Sequence, residues 1–159
     1  MSDADDDRSK AAEFPEGDLL NVLYTHHARV HDLLDEVEST SGEARKQAFD
    51  EVTTLLKAHE AAEESVVRPV TAKTAGKDEA RARNEEEQEA DHVALALSKL
   101  DLDSADFDKQ FAKFKKAVTK HAEAEEKKEF PTIESKRSPE DRQMLGKQFV
   151  SEFQAAGGR

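Results

Sequence analysis

The stretch HAEAEEKKEFP, residues 121–131, repeats the pattern of HEAAEESVVRP, residues 59–69. Both read His-x-x-x-Glu-Glu-x-x-x-x-Pro. Each also continues an apolar row. Phe49, Val52 and Leu56 lead in steps of three and four to His59 and Glu63, and Phe107, Phe111, Phe114 and Val118 lead to His121 and Glu125. Such steps mark one face of an α-helix. A His and a Glu four residues apart are separated by about 6 Å of rise and point the same way. The duplication therefore predicts two helices that carry imidazole and carboxylate groups into a shared interior. A buried ionised carboxylate without a partner costs far more than one or two hydrogen bonds return, so positive charge has to meet these groups.

The rest of the chain agrees with long helices. It has 159 residues, the size of one domain, with 36% hydrophobic and 38% charged residues. That balance suits helices with a narrow apolar stripe and a wide solvated face. A first helix is expected from Asp18 as N-cap, with Leu20, Leu23, His27, Val30, Leu34 and Val37 on one face. A second covers about 43–72, a third about 78–100 with His92, Leu95, Ala96 and Leu100 in its seam, and a fourth about 105–135. A shorter fifth follows Ser138 as N-cap and Pro139 at the first helical position. The fold class is all-α, an antiparallel up-down four-helix bundle with a short C-terminal fifth helix. Residues 1–17 are expected as a flexible acidic tail, 18–135 as the bundle, and 136–159 as the C-terminal helix and tail.

The net charge of −12 repels phosphate backbones and anionic lipid, which disfavours nucleic-acid and membrane partners. No Cys is present, hence no thiolate ligand or nucleophile. No stretch approaches the roughly 18 apolar residues of a membrane span, and MSDADDDRSK lacks the apolar core of a secretory signal. The expected location is the cytoplasm.

His27 and His92 each precede a His-x-x-x-Glu by one helical hairpin, at similar separations. Two such halves around a pseudo-twofold axis bring His27, His59, His92 and His121 to mid-bundle with Glu63 and Glu125. Neutral imidazole suits Zn, Cu, Fe and Ni, and carboxylates can bridge two ions. The pattern fits a two-metal site with two His terminal on each ion and Glu63 and Glu125 bridging. Glu-rich runs such as EEEQE at 85–89 are expected as solvated faces, and the Phe stripe at 107, 111 and 114 as core.

These pieces, HARVHDLL from 27, HEAAEESVVRP from 59, DHVALAL from 91 and HAEAEEKKEFP from 121, resemble the hemerythrin-like proteins, the HHE cation-binding family. The resemblance implies an antiparallel four-helix bundle around two iron ions, oxo- or hydroxo-bridged. It implies binding of, or reaction with, dioxygen, peroxide or nitric oxide, or iron sensing. His27, His59, His92 and His121 would be terminal ligands, with His26 the alternative to its neighbour, and Glu63 and Glu125 the bridges. Oxygen-carrying members have a further His one turn along the third helix, where this chain has Ala96. Solvent, His31, Tyr24, Glu60 or Glu89 would complete the coordination. That departure speaks against reversible oxygen carriage and favours redox chemistry with a small oxidant, such as catalase-like peroxide decomposition. A metal-dependent sensor or interaction module without turnover is the alternative, its protein partner unknown.

Overall fold

A computed structural model describes residues 2–159, and every regular element among them is helical. Helices α1 (Asp3–Ala11), α2 (Leu19–Ser39), α3 (Gly42–Ala62), α4 (Arg68–Thr74), α5 (Lys77–Leu97), α6 (Ala105–Ala124), α7 (Phe130–Lys136) and α8 (Pro139–Ala155) follow in order. A π-helical turn, Glu63–Val67, joins α3 to α4, and a second, Glu125–Glu129, joins α6 to α7. The four long arms are thus α2, α3–α4, α5 and α6–α7. Short connections fold α3 back along α2 and α6 back along α5, which makes them antiparallel neighbours.

The caps expected at Asp18 and Ser138 are present, and Ser104 caps α6. Asp18 accepts from the Leu20 amide at 2.9 Å, Ser104 from Phe107 at 3.1 Å, and Ser138 from Asp141 at 3.1 Å. The apolar rows of α2, α3 and α6 are buried as read, with Leu20, Leu23, Leu34, Val37, Phe49, Val52, Phe107, Phe111 and Phe114 in one core. Phe49, Phe107, Phe111 and Phe114 form a continuous aromatic layer.

Two expectations need correction. Residues 3–11 of the expected flexible tail form α1, packed along α2; Met1 lies outside the described residues. Asp3, Asp5 and Asp6 occupy its first turn, where carboxylates favour a helix N-terminus, and the Ser2 side chain caps it. Its buried face is Ala4, Asp7 and Ala11, a stripe without large apolar residues.

The second correction concerns α5. Its buried residues are Ala80, Arg83, Glu87, Ala90 and Leu97, again in steps of three, four and seven. Of the residues expected there, His92, Leu95 and Ala96 are out of phase with this row, whereas Leu100, just past the helix, packs against the core. His92 follows Ala90 by two residues, about 200° around the helix, and is exposed. Leu95 is 61% exposed.

α8 closes the bundle against α2 and α3 with Phe149 and Phe153. Its Arg142 donates from Nε to Asp18 Oδ2 at 2.9 Å, both residues buried, so the same Asp that caps α2 anchors α8.

Candidate metal centre

The repeated Pro explains the repeated π turn. Pro69 and Pro131 have no amide hydrogen, so neither can donate to the carbonyl four residues back. Each arm absorbs the gap with a wider turn one residue earlier: the Arg68 amide reaches Glu63 O, and the Phe130 amide reaches Glu125 O. In an α-helix, residues five apart lie about 140° apart around the axis. The wide turn stacks them instead, so Glu63 and Arg68 share one inner face, as do Glu125 and Phe130.

Four helical arms deliver the centre. His27 comes from α2, His59 and Glu63 from the α3 arm, Glu87 from α5, and His121 and Glu125 from the α6 arm. His27, His59, Glu63 and Glu125 form one group whose ligand atoms all lie within 4.8 Å of one another. Glu63, Glu87, His121 and Glu125 form a second. The two share Glu63 and Glu125. His59 Nε2 lies 3.1 Å from Glu63 Oε1, and His27 Nε2 and His121 Nε2 lie 3.2 and 3.5 Å from Glu125 Oε1.

Five of the six residues expected at the centre therefore meet there: His27, His59, Glu63, His121 and Glu125. His92 does not, because α5 turns its other side inward. Glu87, at 1% exposure, takes the place expected of it. The Ala80–Arg83–Glu87–Ala90 spacing carried this signal, but a seam of Ala and charged residues does not stand out in an acidic run. Glu89 is exposed and outside both groups; His31 pairs with Asp7 at 3.3 Å; the Tyr24 ring packs on Phe14 and Phe130.

The outer nitrogens of the rings are held by partners. His27 Nδ1 meets Glu126 Oε2 at 2.6 Å, His121 Nδ1 meets Glu86 Oε1 at 2.8 Å, and His59 Nδ1 meets His26 Nδ1 at 3.0 Å. Each ring is thereby turned with Nε2 inward, the arrangement that orients metal-binding imidazoles. His26 is thus buried support for His59.

The inward atoms lack partners. His59 Nε2, His121 Nε2, both Glu63 oxygens, Glu125 Oε1 and Glu87 Oε2 are buried and make no hydrogen bond. Buried polar groups are almost always paired, so this concentration at one point is what a cation-binding set presents. A cavity of about 20 Å³ opens among them, lined also by Val30, Leu56 and Val118; it has room for about one water-sized group.

Protons take up the strain of the metal-free state. Burial opposes charge on His27, but Glu125 and Glu126 prevail and raise its pKa to about 10. His121 is raised to about 10 in the same way, burial being outweighed by Glu125, Glu86 and Glu87. Burial and the Glu125 charge push Glu63 well above the carboxylate range. Glu125 itself, despite burial, is held well below it by His121, His27 and Arg68.

One cation is built in. The Arg68 guanidinium, 4% exposed, donates from Nη2 to Glu87 and, at 3.0 Å, to Glu125 Oε2, and from Nη1 to Glu129 Oε1 at 2.9 Å. It sits beside the second ligand group. Nothing in the periodicity marks Arg68; the one signal is that Phe130 stands at the matching position of the other repeat.

An all-helical bundle with a buried His/Glu donor set on four arms defines a helical metal-binding protein. The family model described as the hemerythrin HHE cation-binding domain matches residues 18–133, most of the chain, and the chain belongs to that family. No curated protein and no solved structure gives a significant match. Among the described residues, no helix is long and apolar enough to cross a membrane.

Proposed function

We propose that the chain is a non-heme di-iron protein that binds or reacts with dioxygen, peroxide or nitric oxide in a redox or oxidative-stress role. One observation supports the reading: two four-residue ligand groups overlap in Glu63 and Glu125, so two ions held there would share both carboxylates. Iron bound there would supply one-electron chemistry and an electrophilic position for a small oxidant.

The chain's own residues set the conditions. Glu63, Glu87 and Glu125 offset the charge of the ions, and His27, His59 and His121 hold fixed directions through Glu126, His26 and Glu86. Val30, Leu56 and Val118 restrict the approach to small molecules. Glu60, buried beside Asp91 and Glu87, has its pKa raised to about 10 and retains a proton at neutral pH. It lines the same cavity and is placed to hand a proton to a reduced oxidant there.

Metal analysis and optical spectroscopy of the protein from its native host test the reading. Two irons per chain, with a near-ultraviolet ligand-to-iron band that changes on adding peroxide or nitric oxide, are expected. Zinc in place of iron, or a spectrum indifferent to all three oxidants, would overturn it.

A sensing role is the second reading, favoured by the contact of the His59 ring with Phe149 of α8 at 5.6 Å between centroids. A shift of His59 on metal binding is passed directly to the C-terminal helix. A large stability gain on loading without peroxide turnover would select this reading over the enzymatic one.

A further inference from the structure

The two repeats differ at adjacent positions. Val67-Arg68 precedes Pro69 in the first, and Glu129-Phe130 precedes Pro131 in the second. The π turns stack Arg68 over Glu63 and Phe130 over Glu125, so the two residues occupy equivalent places on either side of the centre. Phe130 packs on the His27 ring at 5.4 Å. Arg68 reaches across to Glu129, the other member of the exchanged pair. The ligand groups differ correspondingly. The pseudo-twofold pairs His59 with His121 and Glu63 with Glu125, which leaves His27 matched by Glu87. One half offers two imidazoles, and the other offers one imidazole, Glu87 and a guanidinium on Glu87.

We infer that Arg68 acts as a resident cation that makes the two halves unequal, so that ions load in order: first between His27 and His59, then, more weakly, between His121 and Glu87. This rests on the metal-binding reading above. An ion in the first half meets four ligand residues and Phe130, and of those four the guanidinium touches only the shared carboxylates, Glu125 at 3.0 Å and Glu63 at 3.7 Å. An ion in the second half must in addition share Glu87, which belongs to that half alone, so three of its four ligand residues already face the guanidinium. Arg cannot relieve this by losing its proton. Its side chain cannot withdraw to solvent without leaving Glu129 buried and unpaired, because Glu129 is itself fully buried.

The inference concerns binding and is tested by binding. Anaerobic titration of the metal-free full chain with Fe(II), followed by native mass spectrometry and competition with a chromophoric chelator, should give two steps. The second should be about 10- to 100-fold weaker, the range by which groups around a metal's ligands tune affinity. Arg68→Met combined with Glu129→Gln removes one charge of each sign. It should bring the two steps to within a few-fold of each other, the second gaining more affinity than the first. Arg68→Lys, which keeps the charge but not the fork, should retain a gap and guards against misfolding of the double variant. Two equivalents bound in one step by the unmodified chain, or a gap that persists in a folded double variant, would overturn the inference and leave the metal site standing. Absence of any iron binding would sink both.

Discussion

His26 and His59 meet Nδ1 to Nδ1 at 3.0 Å, one imidazole supporting another. Burial and nearby positive groups keep both rings neutral, with the His26 pKa lowered to about 3 and that of His59 well below its usual value. His59 can offer a lone pair inward from Nε2 only if its proton sits on Nδ1, so His26 is the acceptor. His27 and His121 lean on carboxylates instead. His59 is therefore the least basic of the three ring donors, and its direction is fixed by a residue that itself packs on Phe149 and Phe153 of α8. His26→Ala should lower Fe(II) affinity about 10- to 100-fold, and His26→Asn, which restores an acceptor, should recover part of it. Chelator competition measures both; unchanged affinity in His26→Ala would refute the assignment.

The phase of α5 gives a paired test. His92 is exposed, so His92→Ala should leave metal content unchanged and alter stability by less than about 0.5 kcal/mol. Glu63 belongs to both ligand groups, so Glu63→Ala should abolish the binding of both ions. Metal analysis of the two purified variants decides. Loss of iron in His92→Ala would place the inner face of α5 where the sequence pattern first put it.

Acidity should affect the metal-free protein in an unusual direction. His27 and His121 have folded pKa values of about 10 against 6.5 ordinarily, so their stabilisation is complete below about pH 6.5 and is lost as pH rises toward 10. Glu60, raised from 4.5 to about 10 chiefly by burial and Asp91, adds a loss of the same sign. Glu125, held low, works the other way and is lost only on acidification. Each raised group contributes a slope of at most about 1.4 kcal/mol per pH unit. Thermal unfolding of the metal-free chain should show the midpoint falling from pH 7 to 9. Ligation replaces the protons on His27 and His121, so the loaded protein should show a flatter profile. A midpoint that rises over this range without metal would contradict the assignment.

At Gly146, α8 comes into close contact with the backbone that leads into α2. A Cβ there would lie 1.9 Å from the Gly17 carbonyl oxygen and 2.9 Å from the Leu19 amide nitrogen, both backbone atoms. Gly146→Ala should therefore destabilise by about 1–3 kcal/mol or more, despite the better helix propensity of Ala. Arg142→Met, which leaves Asp18 buried without its ion pair, should cost about 3–5 kcal/mol. Equilibrium urea unfolding measures both.

The arms whose inner faces are made of Leu, Val and Phe were legible in the sequence, because α2, α3 and α6 carry those residues in steps of three and four. Their polar positions were legible for the same reason: His27, His59, Glu63, His121 and Glu125 fall in phase with apolar neighbours. The inner faces of α1 and α5 are built from Ala, Asp, Arg and Glu, and such residues are just as common on solvated faces. Their burial depends on partners supplied by other arms, Asp7 by His31 and Glu87 by Arg68, and a one-dimensional pattern cannot contain those pairings.

The wide turns at Glu63–Val67 and Glu125–Glu129 give each arm one residue more than an unbroken α-helix would use over the same length. That spare residue is a reserve of chain. Removing one residue between Glu64 and Val67 would let the arm close into a regular helix, with Val70 and Thr71 still directed at the core. Glu63 and the downstream guanidinium would then stand four residues apart and keep their shared face. Helical length and the composition of the centre are thus separately adjustable in each half, and a single-codon deletion is enough to change one without the other.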